Sequence, residues 1–254
     1  MSLIYPILIF ALLTMAAGMK WQIKTKIISG WLLFISLLYC LSIVLFRRYD
    51  PQIPAYIIGS AGFLQSVILT AIVLLACFFR DPERIPPETT RSILSPADGE
   101  IVYVKKIEKN EFPFAVKKNR YIPLSELTKN DFISSGGYQI GIGMNFLNVH
   151  VNRAPIAGQV SQLNKIHGKF RSLKMIQSLL ENERVSTTIH GEKIDVCVVQ
   201  IASRLVRRII TYIEKDHFVK SGQRIGMICF GSQVDLLIPH DDAIQIQVRE
   251  KYEV

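Results

Sequence analysis

An apolar run ends in Phe230-Gly231-Ser232, where a side-chain hydroxyl follows a carbonyl carbon that no side chain shields. Glycine reaches backbone conformations closed to other residues, so in a strained turn the Ser232 hydroxyl can attack the Gly231 carbonyl and turn the amide into an ester. Breaking that ester by β-elimination and hydrolysing the resulting dehydroalanine leaves a pyruvoyl group at a new N-terminus. The pair alone is not diagnostic: Gly59-Ser60 also occurs, within an apolar run, and an ordinary turn explains either.

Two further segments carry groups suited to proton transfer. Ser95-Pro96-Ala97-Asp98-Gly99-Glu100 reads as a turn feeding a strand. Asp98 there is either an Asx-type turn residue bonded to nearby backbone, with Gly99 at positive φ, or a working carboxylate. Asn145 to Pro155 reads as a strand whose period of two puts Leu147, Val149 and Val151 on one face and Asn148, His150 and Asn152 on the other. A histidine among amides, opposite an apolar face, sits beside a polar pocket or at solvent.

The elements that must hold these groups are mostly strands. From Arg80 onward, alternating or β-branched runs punctuated by Gly, Pro and Asn predict strands over residues 100–104, 138–144, 147–151, 185–189, 194–202, 225–230 and 244–248. Residues 170–181 have helical spacing, and 203–213 suit helix or strand. Pro82, Pro86 and Pro87 predict a stiff, non-helical lead into this domain, which would hold it near a bilayer.

Residues 1–79 are of another kind. They contain six charged side chains (Lys20, Lys24, Lys26, Arg47, Arg48, Asp50), whereas residues 80–254 hold the other 45, a density normal for a soluble domain. Residues 27–46 and 57–79 are uncharged and long enough to cross a bilayer as helices. Residues 3–18 are also uncharged but shorter and contain Pro6, so two or three transmembrane helices are expected. The stretch before Lys20 lacks the basic start of a signal peptide. Lys20, Lys24 and Lys26, with Arg80, Arg84 and Arg91, put both flanks on the cytoplasmic face if cations stay inside. No ionisable residue inside the spans suggests a transport path, so this half reads as an anchor.

These patterns exclude a single soluble globule and a purely integral protein. The net charge of +9 divides almost evenly between the halves, with no basic stripe or tail of a nucleic-acid binder, and it suits an anionic lipid surface. Cys40, Cys77, Cys197 and Cys229 are too scattered for a disulfide scaffold or a zinc site.

Taken together, six stretches resemble, in order, the motifs of the phosphatidylserine decarboxylases, particularly their short membrane-anchored forms. They are Phe78-Phe79-Arg80-Asp81-Pro82-Glu83-Arg84-Ile85-Pro86, Ser95-Pro96-Ala97-Asp98-Gly99, Asn148-Val149-His150-Val151-Asn152-Arg153-Ala154-Pro155, Glu181-Asn182-Glu183-Arg184, Arg207-Arg208-Ile209 and Phe230-Gly231-Ser232. The resemblance covers roughly residues 78–240. It implies a membrane anchor over 1–79 and a decarboxylase domain over 80–254 that cleaves itself at Gly231-Ser232 into residues 1–231 and 232–254, a heterodimer of its own two chains.

In that resemblance Ser232 becomes the covalent pyruvoyl cofactor, without a metal, and Asp98 and His150 match the Asp and His that assist it. A carboxylate can orient and polarise an imidazole, which then removes the serine proton. The pyruvoyl ketone would condense with the amine of phosphatidylserine and accept the electron pair left by carbon dioxide, giving phosphatidylethanolamine. His150 is the first choice of proton donor. Arg153, Arg207 and Arg208 either hold substrate phosphate or carboxylate or make surface and structural ion pairs.

Two departures bear on those roles. Longer family members carry a second histidine where Arg153 stands and an acidic residue where Asn148 stands, so His150 has one job or two. The cleavage step also reads Phe-Gly-Ser-Gln where the long forms have Leu-Gly-Ser-Thr.

The expected fold class is α+β, mainly β: N-terminal transmembrane helices followed by a strand-rich catalytic domain related to the lipoyl/biotinyl-like β-sandwich. The expected setting is the inner cell membrane, with the domain on the cytoplasmic face, a phospholipid substrate, no nucleic acid, and homo-oligomerisation open. The competing reading is a lipoyl/biotinyl-like carrier or membrane-fusion adaptor, for which Ser95–Gly99 and Val219–Gly226 are the matching phrases. It would need a presented lysine between inverted repeats or a long heptad hairpin, and neither is evident.

Overall fold

The computed structural model describes residues 3–20, 23–86, 92–107, 136–168, 183–202, 208–229, 232–241 and 254. The chain forms two compact units, Met1–Arg80 with Asn145–Leu147, and Asp81–Met144 with Asn148–Val254.

In the first unit, apolar runs form α1 (Tyr5–Lys20), α2 (Thr25–Tyr49) and α3 (Ala55–Phe78). Pro6 falls in the first turn of α1, where its missing N–H costs no helical hydrogen bond. Helices α2 and α3, of 25 and 24 residues, are long and apolar enough to cross a membrane, and α1 is a shorter apolar helix. Close packing needs Gly62, where a Cβ would lie 2.4 Å from the Tyr39 ring. Polar pins supplement it: Trp31 Nε1 donates to Thr70 Oγ1 at 3.1 Å and Ser42 Oγ to Gln65 Oε1 at 2.9 Å. Leu33, Leu37, Leu41, Leu64, Ile68 and Ile72 face outward, leaving an apolar surface. Residues 145–147 complete this unit, with the Phe146 ring 5.3 Å from Phe78.

In the second unit, the described residues form ten strands: β1 (Glu100–Ile107), β2 (Gly137–Met144), β3 (Val151–Arg153), β4 (Gly158–Ile166), β5 (Arg184–Gly191), β6 (Asp195–Ala202), β7 (Ile209–Thr211), β8 (Phe218–Val219), β9 (Arg224–Ile228) and β10 (Ser232–Pro239). They make a seven-stranded sheet, β1-β2-β10-β6-β5-β4-β8, and a three-stranded sheet, β3-β9-β7. One buried cluster joins them, with Ile142, Met144, Val198, Ala202 and Val234 from the large sheet and Ile209, Ile225 and Ile228 from the small one.

Several expectations change. Residues 147–150 are not strand: Leu147 N donates to Asn145 Oδ1 in a turn, and β3 begins only at Val151. Ser232 is the first residue of a strand, β10, while Gly231 before it lies outside the described residues. Strand β4 was not foreseen because half its residues are polar; its apolar minority is enough once β5 and β8 pair with it. The helix expected over 170–181, the strand over 244–248 and residues 203–207 of the ambiguous run lie outside the described residues, and the described part of that run contains the short strand β7 at Ile209–Thr211.

Candidate active site

Strand β9 ends in the small sheet at Ile228 and β10 begins in the large sheet at Ser232, so the chain changes layers across three residues. The end of β9 is held from both sides. Ile228 N donates to the His150 carbonyl at 3.2 Å and Cys229 N donates to the Arg208 carbonyl at 3.1 Å. On arrival, Ser232 pairs with Met144 of β2 and Ala202 of β6. Antiparallel pairing on both edges of β10 thus sets residues 144, 202 and 232 level, while residues 150 and 208 flank the end of β9, from which three residues lead to Ser232. Phe230, Gly231 and Arg207 lie outside the described residues.

His150 is fully buried, which removes the solvent alternative. Its Nδ1 is 2.9 Å from the Asn148 carbonyl. A carbonyl only accepts, so Nδ1 carries a proton in this contact, and Nε2 is buried as well. Asn152, two residues on, is fully buried as well, and its Oδ1 accepts from Gln200 Nε2 at 2.8 Å, joining the two sheets. Sequence reasoning missed Gln200. The available signal was one amide inside the apolar strand Val196–Ala202.

Asp98 is placed by backbone and charge together. Arg153 N donates to the Pro96 carbonyl at 2.9 Å, so the 95–99 turn runs along β3. Gly99 and Val254 exchange both backbone hydrogen bonds, at 3.1 and 2.9 Å. Gly99 is required because a Cβ there would lie 2.3 Å from the Gly143 carbonyl oxygen. The Asp98 carboxylate is gripped by Arg84: Nη2 donates to Oδ2 at 2.6 Å and Nη1 to Oδ1. The Asp98 carboxylate is therefore paired with Arg84, and His150 Nδ1 with the Asn148 carbonyl.

Arg153 is mostly buried, with its guanidinium donating to Asp81 Oδ1 at 3.1 Å and to the carbonyls of Pro82 and Gly222 at 2.9 and 3.0 Å. Arg224 completes the clamp, its Nε on Asp81 Oδ2 and its Nη2 on Glu83 Oε1, both at 2.5 Å. Every charge of Asp81-Pro82-Glu83-Arg84 thus has a partner in this unit. Of the two readings of Arg153, these contacts match the structural ion pair. Arg208 is exposed at the layer change, and burial pushes the Cys229 thiol up against the opposing pull of the Arg208 cation.

A family model described as phosphatidylserine decarboxylase matches residues 73–254. The chain belongs to the phosphatidylserine decarboxylase family. It is 39% identical over 222 residues to a phosphatidylserine decarboxylase proenzyme of Desulfotalea psychrophila, covering 80% of this chain and 94% of that one. A phosphatidylserine decarboxylase proenzyme of Erythrobacter litoralis is 34% identical over 204 residues, 76% of each chain. A protein of Methanothermobacter thermautotrophicus, provisionally named an archaetidylserine decarboxylase proenzyme, is 36% identical over 181 residues, 71% of this chain and 77% of its own. Family membership decides against the carrier or adaptor reading.

Proposed function

We propose that this chain is a proenzyme that cuts itself between Gly231 and Ser232 and, once matured, decarboxylates phosphatidylserine to phosphatidylethanolamine. The observation that carries the reading is the layer change from β9 to β10, flanked by His150 and Arg208, which lands on Ser232. His150 Nε2 is the base that takes the serine proton as the hydroxyl attacks the Gly231 carbonyl. Elimination then breaks the Cβ–O bond, leaving the Gly231 carboxylate and a dehydroalanine. Its tautomer takes up water and releases ammonia, which balances the conversion. Asp98, paired with Arg84, is a positioning residue that orders the turn along β3, the strand that His150 leads into.

A pyruvoyl group supplies the sink for the electron pair that departing carbon dioxide leaves. Position 232 suits such a group because it opens a strand held on both edges, while the buried His150 holds through its carbonyl the end of β9, which three residues separate from Ser232. His150 returns the proton to the product, and exposed Arg208, with Arg207, holds the substrate phosphate or carboxylate. The layered antiparallel sheets support a kinship with the lipoyl/biotinyl-like β-sandwich.

Helices α2 and α3 span the inner membrane in this reading, and their cationic flanks put the catalytic domain on the cytoplasmic face. The test is the intact mass of the purified protein with an assay of carbon dioxide release from phosphatidylserine and, in parallel, archaetidylserine. Chains of 231 and 23 residues and release from phosphatidylserine are expected. A single 254-residue chain in active enzyme overturns the reading.

A further inference from the structure

Asp235 is the fourth residue beyond the proposed cleavage point and is fully buried. Its Oδ2 accepts from Tyr103 Oη at 2.6 Å and Gln139 Nε2 at 2.7 Å, and its Oδ1 from Gln233 Nε2 at 2.7 Å. Gln233 Nε2 also donates to Tyr103 Oη at 2.9 Å. The Tyr103 ring lies against Gly141, where a Cβ would be 2.4 Å away, so the phenol reaches Asp235 only because that position is glycine. A carboxylate is costly to bury, and an apolar side chain would fill a sheet more easily. The proposed chemistry uses none of these four side chains.

Their placement indicates a purpose. Strand side chains alternate between faces, and a slip of one residue exchanges the faces throughout. Positions 233 and 235 share the face of Tyr103 and Gln139, so position 232 shares the opposite face with Met144 and Ala202. That opposite face is the one whose Gln200 meets Asn152 of β3, the strand that His150 leads into.

We propose that Tyr103, Gln139, Gln233 and Asp235 are positioning residues that lock the register of β10 across the cleavage point, keeping residue 232 on the His150 side after the cut. The inference rests on the reading that the chain is cut between Gly231 and Ser232. Before the cut, the chain through residues 229–231 tethers the start of β10. Afterwards that start is a free strand end, where local opening is easiest. Tyr103 and Gln139 then belong to the large chain and Gln233 and Asp235 to the small one, so the network becomes a clasp between chains.

The experiment uses the full-length enzyme in detergent micelles, with Tyr103→Phe and Asp235→Leu as test variants. Leu237→Ala is the control, being equally buried on the same strand and face but outside the polar network. Thermal midpoint, cleaved fraction, mass of the 23-residue chain, kcat and KM are measured for each. Tyr103→Phe should lower kcat per pyruvoyl-bearing chain about fivefold, the net effect of one hydrogen bond, with KM within about twofold of wild type. Leu237→Ala should lose midpoint but keep its kcat.

Losses of kcat that track midpoint alike in the test variants and the control would show a merely structural role and overturn the proposal. Unchanged kcat in Tyr103→Phe would do the same, and that isosteric variant decides if Asp235→Leu does not fold. An uncut wild-type chain would instead overturn the cleavage reading, with the inference, and is seen before any variant is made.

Discussion

Arg84 donates to both carboxylate oxygens of Asp98, and so ties the stretch that leads into the decarboxylase unit to the turn that runs along β3. A paired guanidinium fork fixes a carboxylate in plane and direction as an ammonium does not. The same stretch is fastened again through Asp81, which Arg153 and Arg224 share. The clamp orders the turn, and the turn orders Asp98.

Arg84→Gln should therefore slow self-cleavage about tenfold, the effect of roughly 1.4 kcal/mol on a barrier. Arg84→Lys should fall between it and wild type. Nearly half of the Arg84 side chain is exposed, so stability should change by no more than about 1 kcal/mol. A time course of chain separation in denaturing gels checks this, and an Arg84→Gln chain that cleaves at the wild-type rate refutes it.

Ser232→Ala should remain a single chain and release no carbon dioxide, because it has no group to attack Gly231. Ser232→Cys should cleave slowly, since a thiol can make the same attack. Position 232 opens β10 through backbone hydrogen bonds that any side chain permits, so both variants should fold. Carbon dioxide release by the alanine variant at the wild-type rate would rule out the pyruvoyl mechanism.

His150 is in the core and not on a polar surface, so its replacement has two effects. His150→Ala should abolish processing and also lower stability by on the order of 2 kcal/mol through the cavity it leaves. His150→Gln, closer in size, should recover part of the stability and none of the processing. Measuring thermal midpoint beside cleavage separates the effects. Normal cleavage in both variants would remove His150 from the mechanism.

The Asp235 carboxyl sets a pH dependence. Burial pushes it above the ordinary value of 3.8, against the pull of the Gln233, Tyr103 and Gln139 hydrogen bonds. The folded state then holds a proton more tightly than the unfolded chain, so this group's contribution falls as pH rises from that ordinary value to the raised one, and is level above it. Wild type should lose stability relative to Asp235→Leu as pH climbs from about 4. Urea midpoints of the two proteins across pH give the comparison, and parallel curves would contradict it.

Protease added to sealed right-side-out vesicles should leave residues 92–254 intact if the cationic flanks of α2 and α3 face the cytoplasm. Lysis should expose the same residues to digestion. Cutting of that region before lysis would reverse the orientation.

Local order was legible along the chain because it is short-range. Uncharged runs of about 20 residues mark helices, and alternating β-branched runs mark strands, since each pattern repeats at the period of the backbone that buries it. Asp98, His150 and Ser232 each fitted a turn or a surface position when taken alone, and only the six motifs in order singled them out together. The sequence could not show that residues 147–150 turn before β3 begins, because Leu147 and Val149 alternate as strand residues do while the Asn145 side chain bends the chain.

What only the tertiary structure decided is which distant residues meet. The sequence shows Asp98 and Arg84 as separate charges, 14 positions apart, and nothing in either neighbourhood pairs them. Asp235 and Tyr103, 132 positions apart, are joined because β10 enters between β2 and β6 and carries Asp235 level with Gly141, opposite Tyr103. Periodicity assigns a residue to a face of its own strand, but strand order and register determine what that face meets. Those are settled by the whole chain burying its apolar surface at once, a long-range condition that no local window contains.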